Sequence, residues 1–319
     1  MKVPNSSIER EIRLEGMALK YLSPLGYERV QRICSPLSTM VLGLLPMKSL
    51  NGSYEKITRA DGSRMKVLIL DGRKNDGKKT VGILWCHGGG YVLGAPEMAI
   101  MALPKHILRN YNCVIVLPDY TLSAKAPYPA AVEDCYTCLK WMESNKDRLG
   151  IDADKFVLGG ESAGGGLTLG LSLYCRDKGE TPFAFQIPLY PMLDDRLTES
   201  SAKNNAPVWN AHSNRSAWHI YLDEQFYGDD IPVYAAPARA TDLTGLPPVM
   251  SFYGSIEPFR DEDRTLFGKL ADTGVEVITK EYKGCYHAFD MMAPYAKVAK
   301  DATAWALKQY EHMVETYCE

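Results

Sequence analysis

The feature that most constrains the fold is the stretch at residues 155–170, KFVLGGESAGGGLTLG. Its apolar run at residues 156–158 ends in two glycines and indicates a buried strand. Ser162 follows between Gly160 and Gly164, in the order G-x-S-x-G, and small residues with a helical pattern come after it. We therefore expect a strand, a sharp turn and a helix, with glycines where close packing excludes a side chain. Such a turn holds Ser162 at its tip, beside the unpaired N–H groups of the helix start.

A second glycine-rich motif comes earlier, where the apolar run at residues 81–86 continues into His87, three glycines and Tyr91. G-x-S-x-G alone arises by chance in roughly one of ten chains of this length, but His followed by three glycines arises in fewer than about one in a hundred. Glycines in such a loop let bare backbone N–H groups approach a substrate oxygen, as an oxyanion hole requires. The two motifs together predict a serine nucleophile with an oxyanion loop.

With both motifs, the chain resembles the hormone-sensitive-lipase-like family of α/β-hydrolase carboxylesterases over most of its length. Besides HGGGY and GESAGG, the resemblance includes the segments at residues 118–134, 257–262 and 286–289. It implies an α/β-hydrolase fold with a cap over the active site, and carboxylesterase activity.

The chain departs from the family pattern at a few positions. Glu161 stands where the family usually has Asp, and Thr121 and Lys125 replace an Arg and a Glu. These departures bear on substrate preference. Glu257 stands where an Asp is usual, which bears on the identity of the catalytic acid.

Strand-like runs separated mostly by helical stretches predict the fold class. The runs lie at residues 81–86, 113–117, 156–158, 183–189, 249–253 and 275–282. Residues 54–70 alternate around Asp61-Gly62, a hairpin signal, and add two antiparallel edge strands. We expect an α/β fold with a mostly parallel central sheet of about eight strands, helices on both faces and a helical cap. Ligands of such sheets bind at the carboxyl ends of the strands, where both motifs lie.

The predicted catalytic domain is residues 51–319, capped by residues 1–50 and by an insertion at residues 194–236. The resembling family builds part of its cap from the N-terminal segment, and a long insertion is more often functional than idle. The insertion carries rings that could roof the site, at Trp209, His212, Trp218, His219, Tyr221, Phe226 and Tyr227. For any single ring, packing inside the cap is favoured, and which of them line a pocket is left open.

Ser162 needs a general base to take its proton and a carboxylate to orient that base, in the chain order Ser, acid, His. Of the six histidines, His287 alone follows the last predicted core strand on a glycine-bearing loop. We therefore expect His287 to be the base. His87 heads the glycine loop, and we expect it to hydrogen-bond that loop into shape.

Glu257 is the expected triad acid because it lies in the loop just after the predicted strand at residues 249–253. Asp261 and Asp263 follow at the start of a predicted helix, where acidic residues commonly cap the helix and offset its dipole. The sequence leaves Asp261 open as the alternative acid. For the oxyanion hole we expect the backbone N–H groups of Gly88, Gly89 and Ala163.

Composition limits the partners. The formal net charge is −3 and no basic run is present, which argues against nucleic acid and favours a small-molecule partner, and the resemblance implies that this is an ester. The eight cysteines lack the spacing of a disulfide framework, and Cys135-x-x-Cys138 is interpreted as a buried helix-face pair. The charged N-terminus lacks the apolar core of a signal peptide, and no apolar stretch nearby is long enough for a membrane span. A cytoplasmic location is therefore expected, and a homodimer is left open.

The sequence thus predicts a serine carboxylesterase that hydrolyses short-acyl, uncharged esters through an acyl-enzyme, without metal or organic cofactor. A peptidase or amidase on the same fold is one alternative, disfavoured by HGGG and by the lack of room for a large extra domain. A non-catalytic ligand-binding protein is the other, and the presence of His287 argues against it, since receptors that resemble the family lose this histidine. The physiological ester is left open.

Overall fold

An eight-stranded sheet forms the centre of the computed structural model, which describes residues 1–22, 25–74 and 77–318. The strands are β1 (Gly52–Thr58), β2 (Arg64–Asp71), β3 (Val81–Cys86), β4 (Cys113–Pro118), β5 (Phe156–Glu161), β6 (Phe183–Leu189), β7 (Val249–Gly254) and β8 (Val277–Tyr282). Their order across the sheet is β1-β2-β4-β3-β5-β6-β7-β8. β2 is antiparallel to β1 and to β4, and the other neighbouring pairs are parallel. The predicted α/β fold is confirmed.

The five strands β3 to β7 consist entirely of buried residues, as continuous apolar runs in a parallel sheet covered on both faces must. Two details of the prediction are wrong. β2 is an interior strand, because it also pairs with β4, so only β1 lies at that edge. β5 continues beyond the predicted residues 156–158 to Glu161, because its glycines still pair with β3 and β6.

Helices cover both faces of the sheet. They are α1 (Arg13–Leu22), α2 (Glu28–Leu42), α3 (Leu103–Asn110), α4 (Ala130–Ser144), α5 (Lys146–Leu149), α6 (Ala163–Asp177), α7 (Ala211–Leu222), α8 (Arg260–Asp272), α9 (Phe289–Met292) and α10 (Lys297–Tyr317), with short 3₁₀ turns at Asn5–Ser7, Arg10–Ile12, Met47–Leu50, Pro96–Ile100, Asp223–Tyr227 and Pro237–Arg239. α3 and α10 pack together on one face, and α4 and α6 pack together on the other. Within the described ranges, none of these helices has both the length and the apolarity needed to cross a membrane.

α2 and α7 pack against each other and contact the loop that follows β3. Gln31 on α2 donates its amide to the Ser213 carbonyl at the start of α7, 3.0 Å away. Ser35 on α2 donates its hydroxyl to the Val92 carbonyl at 2.6 Å. α7 begins at a capped end, where the Asn210 side chain accepts from the N–H groups of residues 212 and 213. These contacts join the N-terminal segment to the insertion, and the division into cap and catalytic domain stays a prediction.

The region of Thr121, one of the departures from the family pattern, contains a guanidinium from another part of the chain. Arg59, beyond the end of β1, donates to both carboxylate oxygens of the buried Asp134, at 2.5 and 3.0 Å, and to the Thr121 hydroxyl at 3.3 Å. Asp134 in turn accepts the Thr121 N–H at 2.8 Å. The chain after β4 is therefore tied to α4 and to the β1–β2 hairpin.

Cys135 and Cys138 are buried on one face of α4, as predicted. The sulfur of Cys135 lies 3.5 Å from that of Cys86 at the end of β3. The hydrogen bond with Cys86, together with burial, raises the pKa of the Cys135 thiol, so the thiol form persists. The pair packs between the sheet and α4.

Candidate active site

Ser162 lies in the turn between β5 and α6, which we call the Ser162 turn (residues 160–164). Its φ of +57° lies in the region that side chains rarely adopt. The glycines beside it are required by space. A Cβ on Gly160 would lie 2.4 Å from the Gly164 carbonyl oxygen, and one on Gly164 would lie 1.9 Å from the Cys86 carbonyl oxygen. The turn therefore packs directly on β3 and holds Ser162 at the start of a helix.

His287 lies in the loop between β8 and α9, and its Nε2 is 2.8 Å from the Ser162 hydroxyl oxygen. The rings of Tyr190 and Phe259 meet the imidazole edge to face, with centroids 5.1 and 4.9 Å away. The next residue, Ala288, has a φ of +55°, so the chain turns sharply after the histidine. This packing leaves the imidazole little freedom to rotate.

The predicted acid, Glu257, is fully buried beside this histidine. Its Oε2 is 2.5 Å from Nδ1 of His287, and its Oε1 accepts the Gly254 N–H at 2.6 Å. An ionised carboxylate only accepts hydrogen bonds, so Nδ1 carries the proton and Nε2 is free to accept from Ser162. The three side chains are therefore arranged for proton transfer from the hydroxyl to the imidazole.

The alternative acid, Asp261, lies elsewhere. Its carboxylate accepts the Ser200 N–H at 2.7 Å and the Arg260 Nε at 2.7 Å. Burial acts to raise the pKa of Asp261, but the hydrogen bonds with Arg260 and Ser200 outweigh it, and the pKa is lowered. Asp263 is buried on α8, and burial together with the charges of Glu257 and Glu262 raises its pKa well above the usual range. Among the described acidic residues, only Glu257 makes a hydrogen bond to His287.

The glycine loop, residues 87–91, contradicts one of the predicted oxyanion donors. The Gly88 N–H donates to Glu161 Oε1 at 2.8 Å, so its only proton is already used within the protein. Gly89 and Gly90 have φ values of +116° and +63°, and neither N–H makes a hydrogen bond within the described ranges. Ala163 is the first residue of α6, so its N–H has no partner inside the helix. The available donors are therefore those of Gly89, Gly90 and Ala163.

His87 holds the glycine loop from inside the protein. Its Nδ1 donates to the Gly88 carbonyl at 2.7 Å, and its ring stacks on Tyr120 with centroids 4.2 Å apart. The Tyr120 hydroxyl donates to the His87 carbonyl at 2.9 Å. Burial lowers the pKa of His87 to about 4, so the ring is neutral near pH 7. This agrees with the expected role of His87 in shaping the loop.

Glu161, whose departure from the family pattern bears on substrate preference, also contacts the same loop. Besides the Gly88 N–H, its carboxylate accepts the indole N–H of Trp85 on β3 at 2.7 Å. Burial raises its pKa to about 7, against the opposing effect of these two hydrogen bonds. The only sequence signal was its place directly before Ser162, and nothing in the sequence indicated that Trp85 and Gly88 meet at its side chain.

A cavity of about 230 Å³ opens onto Ser162 and His287. Its apolar walls are formed by Leu25, Leu42, Leu93, Met98, Met101, Val208, Trp209, Met291 and Met292. Ser38, Glu161, Tyr190 and the loop glycines also reach it, and no Lys or Arg of the described residues lines it. Among the described residues, no group of three or more His, Cys, Asp or Glu side chains is arranged to hold a metal ion.

The aromatic residues of the insertion have different surroundings. Trp209 lines the cavity, whereas Trp218 and Tyr221 are buried and pack on Tyr91, with Tyr221 stacked 3.9 Å away. His219 bonds to Glu28 on α2 at 2.7 Å. The side chain of Tyr227 lies outside the described residues. Trp218 and Tyr221 therefore pack on the glycine loop, and of the described rings of the insertion Trp209 is the one that lines the cavity.

Comparison with known proteins identifies similar chains. The model of a protein family with the alpha/beta hydrolase fold matches residues 83–291, more than half of the chain. The esterase LipI of Mycobacterium tuberculosis is 29% identical over 228 residues, 69% of each chain. An arylesterase of Saccharolobus solfataricus is 28% identical over 210 residues, 65% of this chain and 67% of that one.

Solved structures of esterases are also similar to this chain. A bacterial heroin esterase superposes with a TM-score of 0.83 at 30% identity, covering 95% of this chain and 96% of the other. A Pyrobaculum calidifontis esterase superposes with a TM-score of 0.80 at 26% identity, covering 96% and 99%.

Proposed function

The chain belongs to the hormone-sensitive-lipase-like family of α/β hydrolases and is a carboxylic ester hydrolase, and on this premise we propose that it hydrolyses short-acyl, uncharged esters through an acyl-enzyme. The observation that carries the proposal is the continuous contact from Glu257 through His287 to Ser162, at 2.5 and 2.8 Å. Each group has the partner that its role requires.

In the proposed reaction, the Ser162 hydroxyl oxygen attacks the ester carbonyl carbon while His287 Nε2 takes its proton. Glu257 stabilises the imidazolium that forms. The tetrahedral intermediate collapses, the C–O bond to the alcohol breaks, and His287 returns the proton to the leaving oxygen. Water then attacks the acyl-Ser162 ester with the same base, which releases the carboxylic acid and the free serine.

For the oxyanion hole we propose the backbone N–H groups of Gly89, Gly90 and Ala163, so that Gly90 replaces Gly88 among the expected donors. This revision is supported by the free N–H groups of Gly89 and Gly90, against the occupied one of Gly88. The positive end of α6 points toward the same place. One such donor is typically worth about 10² to 10³ in turnover.

The cavity supports the substrate class. Its volume of about 230 Å³ is below the roughly 300–1,000 Å³ of common ligand pockets, which favours a small acyl group. Its wall of leucines and methionines, without Lys or Arg among the described lining residues, favours an uncharged one. A cytoplasmic location and a homodimer stay predictions.

The test is an acyl-chain series of p-nitrophenyl esters with the parent and with Ser162→Ala. We expect the parent to prefer acyl chains of about two to six carbons, since each buried methylene contributes about 0.8 kcal/mol only until the cavity is full. We expect Ser162→Ala to keep its fold and lose turnover by a factor on the order of 10⁶. Preference for chains of twelve or more carbons would overturn the substrate class, and a Ser162→Ala turnover within tenfold of the parent would overturn the mechanism. Rapid turnover by the parent also excludes a non-catalytic binding protein.

A further inference from the structure

Glu161 is a buried carboxylate that contacts the glycine loop. It makes no hydrogen bond to any of the three proposed reacting groups, Ser162, His287 and Glu257. Its exposed fraction is 2%. Each of its two oxygens accepts one N–H, from Trp85 at 2.7 Å and from Gly88 at 2.8 Å. β3 and β5 pair in parallel with Cys86 opposite Gly160, so the residues that follow them are brought side by side. The carboxylate thus bridges the end of β3 and the start of the glycine loop.

The bridge lies where the loop meets the Ser162 turn. An added Cβ on Gly88 would lie 3.0 Å from the Glu161 carbonyl oxygen and 3.3 Å from the Ser162 Cβ, so loop and turn are already in close contact. Gly88 is held on both sides, its N–H by Glu161 and its carbonyl by His87. The next peptide unit carries the Gly89 N–H, whose direction is set by the orientation of Gly88.

We propose that the ionised carboxylate of Glu161 is a positioning residue that holds the glycine loop so that its free N–H groups point at the oxyanion. The inference rests on the proposed function and extends it. The charge on the substrate oxygen develops only in the transition state. A donor that no longer points at this oxygen therefore weakens binding of the transition state more than binding of the substrate. Loss of Glu161 therefore lowers kcat more than it raises KM.

Protonation of Glu161 disrupts the bridge, since its charge-assisted hydrogen bonds are lost and the oxygen that carries the proton accepts only weakly from the N–H that it faces. The raised pKa of about 7, caused mainly by burial, brings this change near neutral pH. The other ionisable groups near it are Asp290, whose charge raises the pKa of Glu161, Tyr190 and Tyr120, whose own pKa values are raised in part by Glu161, and the neutral His87. The bridge is thus present above pH 7 and is lost as the pH falls through 7.

The experiment compares Glu161→Gln with Glu161→Asp on p-nitrophenyl butyrate between pH 5 and 9. Gln offers one acceptor oxygen for two N–H donors, so we expect kcat to fall by a factor on the order of 10² with KM within threefold. Asp keeps a carboxylate, and we expect it to restore kcat to within tenfold of the parent. The parent profile of kcat should show a fall near pH 7 that Glu161→Gln lacks, because the variant has no carboxylate to protonate at this position.

Glu97→Gln is the matched control. Glu97 is also a buried glutamate, 1% exposed, whose carboxylate accepts hydrogen bonds, from Tyr54 at 2.8 Å and Lys66 at 3.2 Å, but it makes no hydrogen bond to the glycine loop. We expect its kcat to stay within threefold of the parent. An equal loss in both variants would mean that any buried glutamate matters alike, and would overturn the proposal.

Trp85→Phe tests the positioning role of Glu161 if Glu161→Gln fails to fold. It removes one N–H from the charged carboxylate, which raises the pKa of Glu161 and moves the acid side of the kcat profile up by about one pH unit. An unmoved profile would overturn the proposal, as would a Glu161→Gln kcat within threefold of the parent. Labelling by a serine-directed phosphonate separates the two levels of inference. Complete labelling of Ser162 in the Glu161 variants shows that the proposed function stands even where the positioning role fails.

Discussion

The cavity has two walls, which differ in what holds their residues in place. On the sheet side, the groups that face the substrate follow strand ends and are tied by short hydrogen bonds between buried partners. Glu257 is fixed by Gly254 and His287 at 2.6 and 2.5 Å, and Glu161 by Trp85 and Gly88 at 2.7 and 2.8 Å.

On the cap side, the wall is apolar and belongs to α2 and the segment before α7, where α2 packs on α7 and hydrogen bonds such as that from Gln31 to the Ser213 carbonyl lie outside the cavity lining. Leu42 and Trp209 line the cavity there. The outer face of α2 exposes half or more of several large side chains, at Ile33 (65%), Leu37 (50%), Met40 (61%) and Val41 (59%). The difference indicates a division of work, in which the sheet wall fixes the chemistry and the cap wall sets which ester fits. Substitutions on the sheet side should change kcat by orders of magnitude, and those on the cap side should change KM and chain preference by small factors.

The largest effect expected from this comparison is that of Glu257→Gln. Loss of the orienting carboxylate should lower turnover on a short ester by a factor on the order of 10⁴, as when a triad Asp becomes Asn. Asp261→Asn is the matched control, since its carboxylate bonds to Ser200 and Arg260, and it should stay within threefold of the parent. A large loss in a folded Asp261→Asn, with Glu257→Gln near the parent, would transfer the role of the acid to Asp261.

A smaller effect is expected from Trp209→Leu on the cap side. Trp209 borders the glycine loop, because a Cβ on Gly90 would lie 2.4 Å from its ring. The smaller side chain should admit longer acyl chains, with about fourfold in kcat/KM for each additional methylene that the larger cavity buries. Trp218→Leu, which leaves the cavity lining intact, should lower stability without moving the preferred chain length. A preference that moves equally in both variants, measured with the p-nitrophenyl series, would place the acyl pocket elsewhere.

The smallest effect is expected from two adjacent residues of α2, one exposed to solvent and one in the cavity wall. Val41→Ser lies on the exposed face and should change the free energy of unfolding by no more than about 0.5 kcal/mol, with kcat/KM unchanged. Leu42→Ser lies in the cavity wall and should raise KM several-fold with little change in kcat. Denaturant unfolding and steady-state kinetics measure the pair. Equal effects on KM would remove the distinction between the exposed residue and the one in the cavity wall.

The sequence predicted the sheet-side wall in most respects because its strands end in glycine-rich motifs. The β5 glycines and Ser162 form the predicted turn, and the parallel order brings the loops after β7 and β8 to the same edge. The role of each site residue stays a prediction until it is measured.

The Gly88 prediction failed for a physical reason. A backbone N–H is free or occupied depending on which side chain reaches it, and Glu161 lies 73 positions away in the chain. The β3–β5 register that joins them is set by packing across the sheet. The sequence also could not show what accompanies Thr121, which stands where the family usually has an arginine. Arg59 reaches Asp134 beside it from a distant hairpin. Local pattern identifies the loops, and tertiary contacts decide which of their atoms are available.

The most direct test of the central claim is to trap the acyl-enzyme. The protein is mixed with p-nitrophenyl butyrate, quenched in acid during turnover and digested, and the peptides are analysed by mass spectrometry. We predict one butyryl group on the peptide that contains Ser162, with the adduct on Ser162 itself and absent from Ser162→Ala. A butyryl group on another residue in step with turnover, or rapid hydrolysis by Ser162→Ala without any adduct, would contradict the account.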